Sequence, residues 1–200
     1  MPTVRGSVQA FDDAVAAIRA VRMRPELRWE EAPAPTRIAP HTVAITADVE
    51  VGDDDLATGR LVLLHDPAGH DSWEGTFRFV AYVRADIEAE LVNDALLGSV
   101  AWAWLAEALA GRGAEHHALS GTVTRVSSQG FGGMAEDPAQ AQVEIRASWT
   151  PTPVADEDGP DGDATTAHVL AWADLLATAA GLPSVPDGVS TIAPRRRARS

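Results

Sequence analysis

The sequence predicts an α+β domain in which an antiparallel sheet of about five strands carries helices on one face, in the order α-β-β-β-α-β-β-α. Two observations predict this class. Segments with a period of two, typical of half-buried strands, follow one another in blocks, and helical segments separate the blocks. Parallel neighbours would need a crossover after each strand, so the block order favours antiparallel pairing.

A first helix is predicted to begin at Ser7, a residue type that caps helices, and to run toward Pro25. Its apolar residues recur at the spacing of one helix face: Phe11, Ala14, Val15, Ile18 and Val21. Such a stripe needs a sheet to cover it. The proline-rich segment 25–40 is predicted to be an extended connection, with Leu27 to Glu31 as a candidate edge strand.

Three strands then follow as a block. Residues 42–51 and 76–87 alternate between apolar and polar side chains, which is typical of strands with one buried face. Residues 60–65 are apolar on both faces, as expected for a central strand. These three consecutive segments are predicted to form an antiparallel meander.

The second half is predicted to contain a long helix, a strand pair and a last helix. These elements are a helix at 94–110, strands at 119–128 and 141–149, and a helix from Thr165 or Thr166 to Gly181. Asn93 or Asp94 is the predicted cap of the long helix, and Gly111 is its predicted stop.

One domain, residues 7–182, accounts for all of these elements. The stretch 151–164 contains five acidic residues, three prolines and two glycines, and is predicted to be a disordered loop. Residues 183–200 show no periodicity and are predicted to be a disordered tail.

Composition excludes several reaction classes. The chain has no cysteine, so it has no thiol nucleophile, disulfide or thiolate metal site. All 16 basic residues are arginine, so the chain has no Walker A lysine and no Schiff-base lysine. The formal net charge of -13 opposes binding to nucleic acid or to an anionic membrane. Because the chain also lacks a run of 18 apolar residues, we expect a cytoplasmic protein that needs no cofactor and does not contact membranes.

The segment LVLLHDPAGHD, residues 61–71, offers the strongest metal-ligand candidates, which are His65, His70 and Asp71. Imidazole and carboxylate groups suit zinc, manganese or iron. Asp66, Pro67 and Gly69 instead match the residue preferences of a type I turn. A loop of about ten residues is predicted here, and a structural loop is favoured over a metal or catalytic site.

The polar face of the predicted sheet offers a candidate ligand or partner surface, formed by Arg78, Tyr82, Arg84 and Arg146. Cross-strand ion pairs on a solvated sheet explain the same pattern and are favoured over an anion site. Trp102 and Trp104 lie on opposite sides of the long helix, so one of them is a candidate partner contact, although a helix buried on two sides explains the pattern equally well. We assign Trp102 to the candidate surface.

The glycine-rich segment SSQGFGGM, residues 127–134, follows a predicted strand. Backbone amides in such a segment can cradle a phosphate. The segment lacks the lysine and the following helix of a phosphate loop, so a hairpin loop is favoured.

Three stretches carry a family resemblance: GRLVLLHDPAGHDSWEGTFRFVAYVRADIE, GTVTRVSSQGFGG and QVEIRASWTP. In them, and over about residues 8–182, the chain resembles the domain of unknown function 3000 family of high-GC Gram-positive bacteria. The resemblance implies an actinobacterial protein and no activity, ligand or catalytic residue, since the family has none assigned. It also implies a neighbouring gene for a ribonuclease D-like exonuclease. Separately, the element order resembles the type III secretion chaperone-like fold, whose members bind proteins, often as dimers.

These observations favour a non-enzymatic protein-binding or adaptor module that binds a protein partner or a second copy of itself. The first alternative is a metal-dependent enzyme that uses the 65–71 loop. The second alternative is an accessory protein in RNA metabolism, which the implied gene neighbour and the four arginines in residues 195–199 support.

Overall fold

The computed structural model describes residues 4–52, 54–154 and 159–183. Three α-helices lie in these ranges: α1 (Val4–Ala20), α2 (Leu97–Gly111) and α3 (Gly162–Ala179). The strands are β1 (Leu27–Ala32), β2 (His41–Val51), β3 (Asp54–His70), β4 (Gly75–Ile87), β5 (His116–Ser128) and β6 (Gln140–Pro151). Single turns of 3-10 helix occur at Leu91–Asn93 and Gly132–Met134.

The strands form one six-stranded sheet with the order β1-β2-β3-β4-β6-β5. Every neighbouring pair is antiparallel. The predicted α+β class with an antiparallel sheet is therefore confirmed. The sixth strand is β1, the candidate edge strand of the sequence, which pairs with β2 from Leu27 opposite Val49 to Ala32 opposite Ala44.

All three helices cover the same face of the sheet, here called the helix face. The alternating apolar side chains of the strands supply its floor, including Ile45, Leu63, Phe79, Ile145 and Trp149. Above them α3 packs against both α1 and α2. Burial of each large side chain in such a layer stabilises the fold by roughly 1.5–3 kcal/mol, so this layer supplies most of the stability.

Gly59 of β3 lets α3 approach the sheet closely. A Cβ atom at this position would lie 2.9 Å from Cζ2 of Trp172 and 3.2 Å from Cδ1 of Leu176. Both side chains are completely buried. The glycine is therefore required by packing.

The helix ends differ from the predictions. α1 begins at Val4, so Ser7 lies inside the helix and the cap predicted there was wrong. α3 begins at Gly162, and Oδ1 of Asp161 accepts a hydrogen bond of 2.7 Å from the amide of Ala164. Thr165, predicted as a cap together with Thr166, therefore lies in the first turn of the helix. Asp161 belongs to the acidic stretch that hid this cap in the sequence.

The long helix α2 is also shifted from its prediction. It begins at Leu97, because the chain first forms the 3-10 turn and Asp94 then accepts a hydrogen bond from the amide of Leu96. It ends when Gly113 adopts a φ of 61° and donates its amide to the carbonyl of Ala110. Gly113, and not Gly111, therefore terminates the helix.

Parts of two predictions lie outside the described residues. These are positions 155–158 of the predicted acidic loop and nearly all of the predicted tail, residues 184–200, with its arginines. Among the described helices, none combines the length and apolar character needed to cross a membrane.

Candidate functional site

The histidine-aspartate segment is a bulged strand and not a long loop. β3 continues to His70, which pairs with Gly75 of β4, so only the four residues Asp71–Glu74 connect the strands. The pairing shifts between His65 and His70. Within this bulge Asp66 accepts a hydrogen bond of 2.9 Å from the amide of Ala68, and Gly69 has a φ of 73°. The turn role of Asp66 is thus confirmed, and the ten-residue loop was wrong because the bulge hides the strand's alternation.

The three predicted metal ligands do not come together. His65 is completely buried, whereas His70 and Asp71 are exposed. The His70 ring stacks on Trp73 at 5.0 Å, and its Nδ1 lies 2.8 Å from Oγ of Ser72. No three histidine, aspartate or glutamate side chains in the described part of the chain are placed to hold a metal ion. The predicted metal site at these residues was therefore wrong.

His65 belongs instead to an aromatic cluster on the helix face. Its ring centroid lies 4.3 Å from Phe77, 5.4 Å from His41 and 5.7 Å from Phe11. Gly159 closes over this cluster, since a Cβ atom there would lie 2.2 Å from the Phe77 ring. The cluster thus joins α1, three strands and the segment before α3, which is a packing role.

His168 is a second buried histidine on the helix face, and it is held neutral. The indole Nε1 of Trp149 donates a 3.1 Å hydrogen bond to its Nδ1, which must therefore be unprotonated. Burial lowers the pKa of His168 to about 4, with a smaller contribution from nearby His116, while a backbone hydrogen bond to Glu115 acts in the opposite direction. His168 thus supplies the hydrogen-bond acceptor for the buried indole N–H of Trp149.

The face opposite the helices, here called the open face, carries the predicted polar surface. One end of it is covered by a small second core in which Trp73 packs with Ala44, Val62 and Leu64, and with residues of the 32–39 segment. The remainder, over β4, β6 and β5, is left uncovered by the described residues.

Arg78 lies on the open face but is only 6% exposed. Its guanidinium donates to the carbonyl of Ala118 at 2.9 Å and to the hydroxyls of Thr150, Ser120 and Ser148 at 3.0, 3.3 and 2.8 Å. Burial lowers the pKa of Arg78, and the charge of Glu74 opposes this effect. Arg78 therefore ties β4, β6 and β5 together, and its assignment to an exposed ligand surface was wrong.

Tyr82, Glu144 and Arg146 form a compact group on the open face. The Tyr82 hydroxyl donates to Oε1 of Glu144 at 3.2 Å, and Nη2 of Arg146 pairs with Oε2 of the same carboxylate at 2.8 Å. The Arg146 guanidinium also lies 5.2 Å from the centroid of the Tyr82 ring. Burial raises the pKa of Tyr82, and the Glu144 carboxylate adds to this effect. Arg146 is thus ion-paired, but its partner Glu144 lies on the same strand, so this is not the cross-strand ion pair that the sequence favoured.

A shallow groove of about 450 Å³ lies beside this group. Its walls include Val80 and Tyr82 of β4, Ser120 and Thr122 of β5, and Arg146 and Ser148 of β6. Serine and threonine side chains are short, so they leave a depression between the larger Tyr82 and Arg146. Val80 is 37% exposed, which places an accessible apolar side chain in the wall of the groove.

Arg84 lies apart from this groove. It lines a second depression, of about 350 Å³, together with the acidic residues Asp48, Glu50, Asp55 and Asp86. The predicted set of four surface residues is thus divided: Tyr82 and Arg146 share one groove, Arg84 lies in another, and Arg78 is buried.

Trp102 does not lie on the exposed surface predicted for it. It is half-buried and packs against the core of the helix face. Gly121 of β5 accommodates it, since a Cβ atom there would lie 2.8 Å from Cζ3 of Trp102. Trp104 packs against the same core, as expected for a helix buried on two sides, and a partner contact by the exposed part of Trp102 stays a prediction.

The glycine-rich segment forms the hairpin tip between β5 and β6. Phe131 and Met134 at this tip are 76% and 61% exposed. Its 3-10 turn spans only Gly132–Met134 and is followed by further exposed residues. The favoured hairpin loop is confirmed, and its most conspicuous groups are apolar side chains.

Sequence reasoning missed Val80, Ser120, Thr122 and Ser148 as groove residues. Strand alternation places them on the polar face, and this is the only signal that the sequence offers for them. Their shared groove depends on β6 inserting between β4 and β5, which alternation does not reveal.

The comparisons with known proteins identify a family and no activity. No curated protein and no solved structure matches the chain. The model of a family described as "Protein of unknown function (DUF3000)" matches residues 7–190, which is most of the chain. The chain therefore belongs to the DUF3000 family.

Proposed function

We propose that the protein is a non-enzymatic, cytoplasmic protein-binding module whose partner docks in the groove of the open face. One observation carries this proposal: all three helices pack on the helix face, which leaves a groove with an exposed Val80 on an ordered sheet. The strands hold this surface in one conformation before binding. Less conformational entropy is therefore lost when a partner binds.

The chemistry of the groove supports binding over catalysis. Its described lining contains no histidine, and the carboxylate of Glu144 beside it already bonds to both Tyr82 and Arg146. A general base needs a free acceptor within reach of its substrate. A polypeptide matches the wall better, because it offers apolar side chains for Val80 and amide groups for the hydroxyls of Ser120, Thr122 and Ser148.

The test is affinity capture from extract of the source organism with matched variants. Val80→Asp places a charge in the groove, whereas Val51→Asp makes the same change at a valine that is 44% exposed and does not line the groove. We expect a protein that is captured by the wild type and by Val51→Asp and is lost with Val80→Asp. Circular dichroism checks that both variants fold.

Two results would contradict the proposal. One is a wild-type protein that captures nothing above a bead control. The other is a captured protein that both valine variants retain equally, because binding would then not involve the groove.

A further inference from the structure

β5 is an edge strand with unusually little protection. It is one of the two edges of the sheet and runs for 13 residues, His116–Ser128. It contains no proline, and Arg125 is its only arginine or carboxylate residue. Free edges expose unpaired amide and carbonyl groups, and proteins normally shorten them, charge them or interrupt them with proline.

Arg125 does not protect this edge with its charge. Its Nη1 donates to the carbonyl of Asp94 at 2.8 Å and to that of Val92 at 3.4 Å. The guanidinium is thereby held on the chain that precedes α2. In a protein with a net charge of -13, the β5 edge carries no carboxylate, so two copies meet along it without opposing acidic side chains.

The regular part of β5 is long enough to pair with another strand. Residues Ser120–Ser128 pair with β6 without interruption, and Thr124 lies in the middle of this segment. The irregular pairing lies before it, between His117 and Ser120, where Ala118 has a φ of 49°. The bulge therefore ends the usable edge at Ser120.

We propose that β5 pairs antiparallel with β5 of a second copy, about a two-fold axis at Thr124, and joins the two six-stranded sheets into one. Ser120 then lies opposite Ser128 of the second copy, and Thr122 lies opposite Val126. Side chains of opposed residues point to the same face, so the threonines and Val126 meet on the open face.

This arrangement also covers the exposed hairpin tip. Antiparallel pairing about Thr124 carries the tip of each copy past Ser120 of the other, to the level of its Leu119 and His117. Phe131 and Met134, which are 76% and 61% exposed, thereby gain an apolar neighbour. The same dimer therefore covers both the unpaired edge of β5 and the exposed apolar side chains of the hairpin tip. The inference concerns the edge and not the groove, so it does not depend on the proposed partner.

The absence of native cysteine allows a direct test by cross-linking. A residue on a two-fold axis faces itself at a Cα separation of about 4.5–5.5 Å, which is within the range of a disulfide. Thr124→Cys is compared with Glu30→Cys, an exposed position on β1 at the other edge of the sheet. Thr122→Cys and Val126→Cys locate the axis if it lies off Thr124.

We expect a disulfide-linked dimer on mild oxidation with Thr124→Cys, and a monomer with Glu30→Cys under the same conditions. Equal cross-linking of both variants, or none at any of the three β5 positions, would overturn the inference. A disulfide that forms only at Glu30→Cys would place the interface on the wrong edge and would also overturn it.

A second measurement does not depend on cysteine chemistry. Light scattering of the wild type should give twice the chain mass of 21.1 kDa. Thr124→Lys places two like charges opposite each other across the axis and should raise the dissociation constant at least about tenfold, whereas Glu30→Lys should not. A strictly monomeric wild type at high concentration refutes the pairing. Val80→Asp should leave the dimer intact, which separates this result from the test of the groove.

Discussion

The two ends of the sheet are held by different kinds of interaction. At the β1 edge the contacts are ion pairs near solvent, such as Arg19 with Glu31 and Arg28 with Glu50, each at 2.9 Å. At the β5 edge they are buried polar contacts without a carboxylate, in which Arg78 bonds only to neutral oxygens. Exposed ion pairs contribute little stability, and buried networks are costly to break.

The two edges also differ in how they meet other chains. β1 has only six residues and carries Arg28, Glu30 and Glu31, with Pro25 and Pro33 on either side. These are the usual defences of an edge. β5 is twice as long and lacks them. The difference indicates that β1 keeps other chains away while β5 is free to receive one.

The largest effect is expected at Gly121, where β5 fits beneath α2. A Cβ atom there would lie 2.2 Å from the carbonyl oxygen of Arg146, so Gly121→Val should detach β5 and cost about 4 kcal/mol of unfolding free energy. The control is Thr122→Val, whose side chain points to the open face. Urea unfolding measures both, and similar stabilities would show that β5 is held loosely.

The next effect is expected from the buried arginine. Arg78→Leu removes the donor to four oxygens, so we expect a loss of about 3 kcal/mol in urea unfolding, with little change in 1 M salt. Arg84→Leu, at an exposed position six residues further along on the same strand face, should change stability little. Equal losses for the two variants would mean that the Arg78 network contributes nothing.

A smaller effect is expected from His168, because burial lowers its pKa to about 4 in the folded protein, below the ordinary 6.5. The unfolded chain therefore binds the proton first as the pH falls. The stabilisation is fully present above pH 6.5 and is lost progressively toward pH 4, with a loss of about 1 kcal/mol between pH 7.5 and 5.5.

His168→Asn provides the control for this pH dependence, because it retains an acceptor for Trp149 and does not titrate. The measured quantity is the difference in unfolding free energy between the two pH values, so any constant cost of the substitution cancels. An unchanged difference in the variant would assign the pH dependence to other groups.

The smallest effect on stability is expected at β1. The triple variant Arg28→Thr, Glu30→Thr and Glu31→Thr removes its exposed charges, so the thermal midpoint should stay within error. The same variant should associate beyond the dimer expected of the wild type as its concentration rises in light scattering, since the β1 edge has lost its protection. If its mass in light scattering equals that of the wild type, the short length of β1 and its flanking prolines are sufficient to protect this edge.

Local patterns in the sequence determined the fold class. Alternation located β2, β4 and β6, and helical spacing located the three helices, because both depend on which side chains a regular backbone places on one face. Composition alone excluded thiol and lysine chemistry, because the absence of a residue type does not depend on contacts between distant parts of the chain.

Only the tertiary structure determined which polar side chains are buried and which are exposed. Arg78 and Arg84 share one strand face in the sequence, but Arg78 is buried where β5 and Thr150 approach it, and Arg84 is exposed. His65 and His70 diverge because a bulge separates them. Burial of a polar side chain depends on neighbours brought from far along the chain, and their position is set by the strand order and not by the local period.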